Sequence, residues 1–314
     1  MENKRNEISK IPLLAIIGPT ASNKSAIANE CATLLRGEIV NADSRQIYKY
    51  CFIGTSSPSS LTKRDIPHHL YNFLEPPIRF SAAEYAKTAS QTLIDLNKNG
   101  IFSVVVGGSG LYLRALIEGL FKAPGQNLQL RATLKKIAAL MGSDFLHKQL
   151  FAIDPPSAHT ILKNDLFRII RAIEIFYLTG MPKSHLIQEQ APNTLFNVLK
   201  IGVEVPRSLL YYTIDKRVDT MIASGLIEEV RYLMEHYDPD SPILHSIGYK
   251  ELIPYLKGST TATEAICLIK RNTKRYAKRQ LTWFKKDKNI TWKTSEECLN
   301  PTFIALIKNY FSLQ

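Results

Sequence analysis

The chain has 314 residues, enough for one large or two modest domains, and 45% of them are hydrophobic, which excludes a disordered chain. Its four cysteines (Cys31, Cys51, Cys267 and Cys298) are too far apart for a zinc knuckle or a disulfide framework, so they read as reduced thiols. No apolar run is long enough to span a membrane, the polar start at residues 1–7 lacks a signal-peptide core, and a cytoplasmic protein is expected, whose net charge of +12 suits a polyanionic partner such as nucleic acid.

Residues 13–17 predict the first strand and residues 24–35 its helix. Residues 38–42 predict a second short strand, 54–64 a Ser/Thr/Pro-rich loop, and 68–73 a third short strand. Ser81 caps a helix that runs through Leu96 and stops at Asn99-Gly100. Residues 101–106 form a continuous β-branched run, the mark of a buried parallel strand, and a helix follows to about Leu120. Strand–helix alternation over this half predicts an α/β fold with an open parallel sheet flanked by helices. Residues 122–191 carry helical periodicity and almost no strand pattern, which predicts a helical insertion domain within a core made of residues 1–121 and 192–314. Residues 199–205 return the chain to the sheet. Residues 206–236 are helical with a break at Gly225, and residues 263–286 are helical again.

The candidate chemistry begins between the first strand and its helix. Gly18-Pro19-Thr20-Ala21-Ser22-Asn23-Lys24-Ser25 matches a phosphate-binding loop of the nucleotide-binding (ATP-binding) type, except that Asn23 stands at the second glycine. In such a loop backbone N–H groups and the helix N-terminus surround an anion, the lysine adds charge, and the Ser25 hydroxyl can hold Mg²⁺. An ordinary strand-to-helix turn is the plainer explanation, and the flanking pattern disfavours it. Asp43 follows the second strand at the end where open α/β sheets bind ligands, in place to act as a general base; a solvated loop Asp or a helix cap is the plainer alternative, and its placement favours function. The run at residues 104–106 ends in Gly107-Gly108-Ser109-Gly110, not in the Asp that an ATPase uses to hold Mg²⁺ through water. Those glycines suit close approach to a phosphate or substrate, or simply a tight turn. Arg168 and Arg171 share a helix face and read either as a phosphate clamp or as ion-paired surface residues; Arg217 carries the same ambiguity. Near the C-terminus Lys270, Arg271, Lys274, Arg275, Lys278, Arg279, Lys285, Lys286 and Lys288 face only Asp287. Tyr276, Trp283 and Phe284 interleave with them, a pattern that suits a nucleic-acid phosphate backbone with stacked bases; a solvated helix with its aromatics in the core is the plainer alternative. His68-His69 lacks a partner at metal-ligand spacing.

Taken in order, several stretches resemble the tRNA dimethylallyltransferase (tRNA isopentenyltransferase) family. They are residues 18–22 with Lys24 and Ser25, Asp43-Ser44 with Gln46 and Tyr48, Ile53-Gly54-Thr55, Pro67-His68-His69, residues 106–112, Arg168 with Arg171, Ala172 and Glu174, Thr179-Gly180 with Pro182, residues 247–251, and Ala277-Lys278-Arg279-Gln280 with Thr282-Trp283-Phe284. The resemblance implies a P-loop NTPase-like core with a helical insertion. It implies transfer of a dimethylallyl group from dimethylallyl diphosphate to N6 of the adenosine 3′-adjacent to the anticodon in tRNA. It further implies that the loop with Lys24 holds the diphosphate, aided by Mg²⁺ on Ser25 and by Arg217, and that Asp43 is the base with Ser109 near the reacting adenine. Ser44, Arg45, Gln46, Arg131, Phe167, Arg168, Ile169, Ile170, Arg171, Lys274, Arg275, Lys278 and Arg279 would meet the tRNA anticodon stem-loop.

Ser109 replaces the family's usual Thr, and Gly125-Gln126-Asn127-Leu128 lacks the acidic residue usual before Arg131. With no Cys/His zinc module, the chain resembles bacterial members, and a monomer is compatible with it. Rivals are an ATP-using small-molecule kinase, a prenyltransferase acting on free adenine nucleotides, and a tRNA-binding protein with weakened catalysis. The basic C-terminal stripe is surplus to the first two, while retained Lys24, Ser25 and Asp43 argue against the third.

Overall fold

In the computed structural model, which describes residues 10–58 and 65–313, six strands form one parallel sheet. They are β1 (Ile11–Ile17), β2 (Gly37–Asn41), β3 (His68–His69), β4 (Phe102–Gly107), β5 (Phe196–Glu204) and β6 (Ile290–Thr294), in the order β3-β2-β4-β1-β5-β6. Strand β1 is covered on both faces, which explains its unbroken apolar run. Leu13, Ala15 and Ile17 join Tyr85 and Leu93 of α2 (Ala82–Lys98) and Leu116 of α3 (Gly110–Ile117). Leu14 and Ile16 join Ile27 and Cys31 of α1 (Lys24–Leu34) on the opposite face. All four cysteines are free.

Local chemistry sets the boundaries. The Ser81 hydroxyl accepts from the Glu84 N–H at 3.2 Å and the Glu84 carboxylate accepts from the Ser81 N–H at 2.7 Å, a capping box that starts α2 as expected. The third expected strand shrinks to His68–His69. Of the loop expected over 54–64, residues 59–64 lie outside the described residues, as does the polar start at 1–7.

The register places three strand ends side by side. Ile17 pairs with Gly107, and Asn41 pairs with Val106. The loop after β1, the turn after β2 and the glycine turn after β4 therefore share the carboxyl edge of the sheet, where open α/β sheets bind their ligands.

Residues 118–193 form a separate compact unit. It holds α4 (Leu128–Met141), α5 (Ser143–Ile153), α6 (Pro155–Thr160), α7 (Leu166–Thr179) and α8 (Lys183–Gln188). Its core gathers Leu134, Leu146, Leu150, Ile169, Ile170 and Ile173. At its centre Glu174 is 0% exposed and accepts from Arg131 Nε at 2.8 Å, Arg131 Nη2 at 2.7 Å and the Asn127 N–H at 2.7 Å. Arg171 also donates to Glu174 and, at 2.7 Å, to the Pro124 carbonyl. Burial pushes the Glu174 carboxyl up, but these donors outweigh it and hold the group down at about 2. Its stabilising contribution is therefore complete above the ordinary carboxylate range and is lost as pH falls toward 2. Glu174→Ala strands two cations and is expected to cost the insertion about 3–5 kcal/mol, read from urea midpoints at neutral pH. A midpoint equal to wild type would show that the triad is not what holds this unit.

In the core unit β5 leads into α9 (Arg207–Ala223) and α10 (Leu226–His236), separated at Gly225 with φ 97° as expected. The short α11 (Leu252–Leu256) precedes the long α12 (Ala262–Phe284). Strand β6, α13 (Ser295–Cys298) and α14 (Pro301–Phe311) follow, three elements that the sequence reading did not separate.

Candidate active site at the carboxyl edge of the sheet

The loop of residues 18–25 passes from β1 into α1 with Ala21 at φ 63° and Asn23 at φ 68°. Asn23 sits in the left-handed conformation (φ 68°, ψ 10°) at the N-cap of α1. Asn adopts that conformation more readily than most residues, so the loop keeps its course without the second glycine. Lys24 Nζ donates to the Pro19 carbonyl at 3.2 Å, folding the ammonium back over the loop.

Asp43 is positioned by its neighbour. Asn41 is 0% exposed; its Oδ1 accepts from the Asp43 N–H at 2.9 Å, and its Nδ2 donates to the Leu70 carbonyl at 2.9 Å. Asp43 Oδ1 accepts from the Arg45 N–H at 2.9 Å, which closes the turn. The glycine turn is stitched to this one. The Ser109 N–H donates to the Ala42 carbonyl at 3.2 Å, and Ser109 Oγ accepts from the Ser44 N–H at 2.9 Å and donates to Ser44 Oγ at 3.1 Å. A Cβ at Gly107 would lie 2.1 Å from the Ala42 oxygen, so this glycine serves backbone contact between β2 and β4.

These loops line one cavity of about 400 Å³. Thr20, Lys24 and Ser25 form its phosphate-loop side, Asp43, Ser44, Arg45 and Gln46 the β2 side, and Arg217 enters from α9. Ile214, Val218, Met221 and Ile269 supply apolar wall, and Tyr71, Tyr249 and Tyr276 contribute rings. Burial lowers the Lys24 ammonium to about 8; Asp43 opposes the shift and Arg217 adds to it. Burial also lowers Arg217, again opposed by Asp43, yet a guanidinium stays charged at neutral pH. The Tyr276 and Tyr71 hydroxyls are pushed up by burial and then by Asp43, so both remain protonated donors. A carboxylate among two cations and protonated phenols can take a proton while an anion is held beside it.

The structure also sorts the expected RNA contacts. Lys274 is paired with Asp215 at 2.7 Å and Lys270 with Asp219 at 2.6 Å, so α9 carboxylates oppose a stripe in which the sequence set only Asp287. Asp287 is paired with Lys200 at 2.7 Å. Phe284 belongs to the core rather than to a stacking surface, and Tyr276 lines the cavity. Arg275, Lys278, Arg279, Lys285 and Lys286 are exposed. Within the insertion, Ile169 and Ile170 point into its core instead of toward a partner, and Arg131 and Arg171 hold Glu174. Arg168 is 61% exposed and pairs with Asp165, and Phe167 is 74% exposed. Gln46 donates to the Thr55 and Ser56 carbonyls at 3.0 and 2.9 Å, so its amide nitrogen shapes the cavity loop. Two residues organise the site without a role assigned from sequence: Glu229, which no motif contains, and Gln280, which lies in a family-like stretch. Glu229 accepts from the N–H groups of Phe52, Ile53 and Gly54 at 2.8, 2.8 and 2.9 Å and from Tyr249 Oη at 2.7 Å. Gln280 is buried against the phosphate loop.

The chain as a whole is similar to known proteins. The sequence model of the family described as IPP transferase matches residues 46–287. A tRNA dimethylallyltransferase of Geobacter metallireducens is 44% identical over 288 residues, covering 91% of this chain and 93% of the relative. One of Geobacter sulfurreducens is 43% identical over 286 residues, covering 90% and 92%. The crystal structure of a tRNA isopentenylpyrophosphate transferase from Bacillus halodurans superposes with a TM-score of 0.70 at 34% identity, covering 96% of this chain and 97% of the other. A eukaryotic dimethylallyltransferase acting on tRNA gives a TM-score of 0.81 at 26% identity over 97% of this chain and 80% of its own. With a family match across most of its length and relatives of this similarity over nine-tenths of it, the chain belongs to the IPP transferase family.

Proposed function

We propose that this chain transfers a dimethylallyl group from dimethylallyl diphosphate to N6 of the adenosine next to the anticodon's 3′ side in tRNA. One observation carries the reading: a single cavity joins a cationic phosphate loop, a carboxylate and an apolar wall, and Thr273, Tyr276 and Arg279 of the basic helix α12 line it. The diphosphate lies against the loop N–H groups, Lys24 and Arg217, and the five-carbon tail lies on Ile214, Val218 and Met221. The adenine leaves its stack to enter the cavity. N6 attacks the allylic carbon, the carbon–oxygen bond breaks with its electrons going to diphosphate, and Asp43 takes the N6 proton. Ser109, fixed on Ser44, holds the β2 turn beside the base.

The donor type fits Mg²⁺: Ser25, which lines the cavity at the end of the phosphate loop, would hold the ion through its hard hydroxyl oxygen. When bound there it supplies charge for the departing diphosphate.

The reading is tested by diphosphate release. Release from dimethylallyl diphosphate is expected only when unmodified tRNA is present. Release indifferent to tRNA, or phosphorylation of a small metabolite from ATP, would sink it. A second expectation concerns pH. Because the Lys24 ammonium sits at about 8, KM for the diphosphate should rise as pH passes upward through that value and Lys24 loses its proton. Lys24→Arg should flatten that rise; a wild-type KM constant from pH 7 to 9 would contradict it.

On the core unit the RNA contacts are assigned to Arg275, Lys278 and Arg279, and within the insertion, taken by itself, to Phe167 and Arg168. Replacing Lys278 and Arg279 together by Ala should lower the salt dependence of tRNA binding by roughly two counterions. An unchanged slope in filter-binding titrations would remove them from the phosphate backbone.

A further inference from the structure

Gln280 is 5% exposed, and both ends of its amide are used by main chain distant in sequence. Its Oε1 accepts from the Thr20 N–H at 2.9 Å, and its Nε2 donates to the Gly108 carbonyl at 2.9 Å. A Cβ at Gly108 would lie 2.3 Å from that nitrogen, so the glycine is what lets the amide in. Thr20 belongs to the phosphate loop. Gly108 precedes Ser109, whose backbone and hydroxyl hold Ala42 and Ser44 on either side of Asp43. One buried amide thus connects the loop proposed to hold the leaving group with the turn proposed to carry the base. Only a side chain with a donor and an acceptor on one short fork serves both: Glu at neutral pH lacks the donor, and Lys lacks the acceptor.

We infer that Gln280 is a positioning residue that sets the phosphate loop of residues 18–25 against the Asp43 turn, through the main chain of Thr20 and Gly108. The inference rests on the reading of that loop as a diphosphate site. It acts on orientation, so its loss falls on turnover more than on diphosphate affinity, since the loop N–H groups and Lys24 remain.

The test uses the full chain with Gln280→Met, which keeps length and burial, and Gln280→Glu. Inorganic diphosphate binding is measured by calorimetry, and prenyl transfer to tRNA at saturating substrates. Gln280→Met is expected to lower kcat about 30- to 100-fold with the diphosphate Kd within about threefold of wild type. Gln280→Glu should recover as pH falls from 8 to 6, as a ratio to wild type at each pH, because a protonated carboxyl restores a donor and an acceptor. That recovery decides the matter if the Met variant fails to fold. Wild-type kcat in Gln280→Met, or a Gln280→Glu ratio that does not change with pH, would overturn the inference. If wild type itself binds no diphosphate, the reading of the loop fails, and this inference with it.

Discussion

Asp43→Asn is expected to lower the rate of prenyl transfer by about 10³-fold, or about 4 kcal/mol of transition-state stabilisation, while leaving tRNA affinity within about threefold. The substitution is chosen for its geometry. Asp43 Oδ1 accepts from the Arg45 N–H, and an Asn carbonyl oxygen can make the same bond. Asn41 fixes the backbone on one side and Ser109 holds Ser44 on the other, so the turn has no reason to move. What is lost is basicity: an amide cannot take the proton that N6 releases. Single-turnover kinetics with saturating tRNA separate the two effects. An equal fall in kcat and in tRNA affinity would make Asp43 a binding residue instead.

Arg217→Gln is expected to be the second most damaging change, with kcat down about 10²- to 10³-fold, because the cavity loses a fixed charge where negative charge develops. It carries a second consequence that a purely structural role would not. Arg217 is one of the groups that lower Lys24, and Asp43 opposes the shift. Without Arg217 the ammonium should hold its proton to higher pH, and the rise in diphosphate KM near 8 should move upward. A variant that loses activity but keeps its pH limb in place would show that Arg217 does not share the anion site with Lys24.

Much of the site was legible because its parts are local. The phosphate loop is one stretch between a strand and a helix, and Asp43 directly follows a strand. Parallel pairing then brings their ends together: Ile17 opposite Gly107 and Asn41 opposite Val106. The sheet was legible for the same reason, except at its edges. Strand β6 (Ile290–Thr294) is short and follows a lysine-rich run, and only its pairing with β5 makes it a strand. What stayed hidden depends on contacts between distant segments. No local pattern reveals that Asp215 and Asp219 neutralise part of the basic stripe, or that Glu174 takes up Arg131 and Arg171. Periodicity placed Ile169 and Ile170 on a helix without saying which face is core. Gln280 lies in the family-like stretch at residues 277–280, but its partners are 260 and 172 residues away.

On the proposed function, the carboxyl edge of this sheet alkylates an adenosine in tRNA. The most direct measurement incubates the purified chain with unmodified tRNA, dimethylallyl diphosphate and Mg²⁺, then digests the RNA and analyses its nucleosides by mass spectrometry. The predicted result is one new nucleoside, N6-dimethylallyladenosine, mapping to the position beside the anticodon's 3′ end. Unmodified adenosine throughout, with a control transferase active on the same tRNA, would contradict the account.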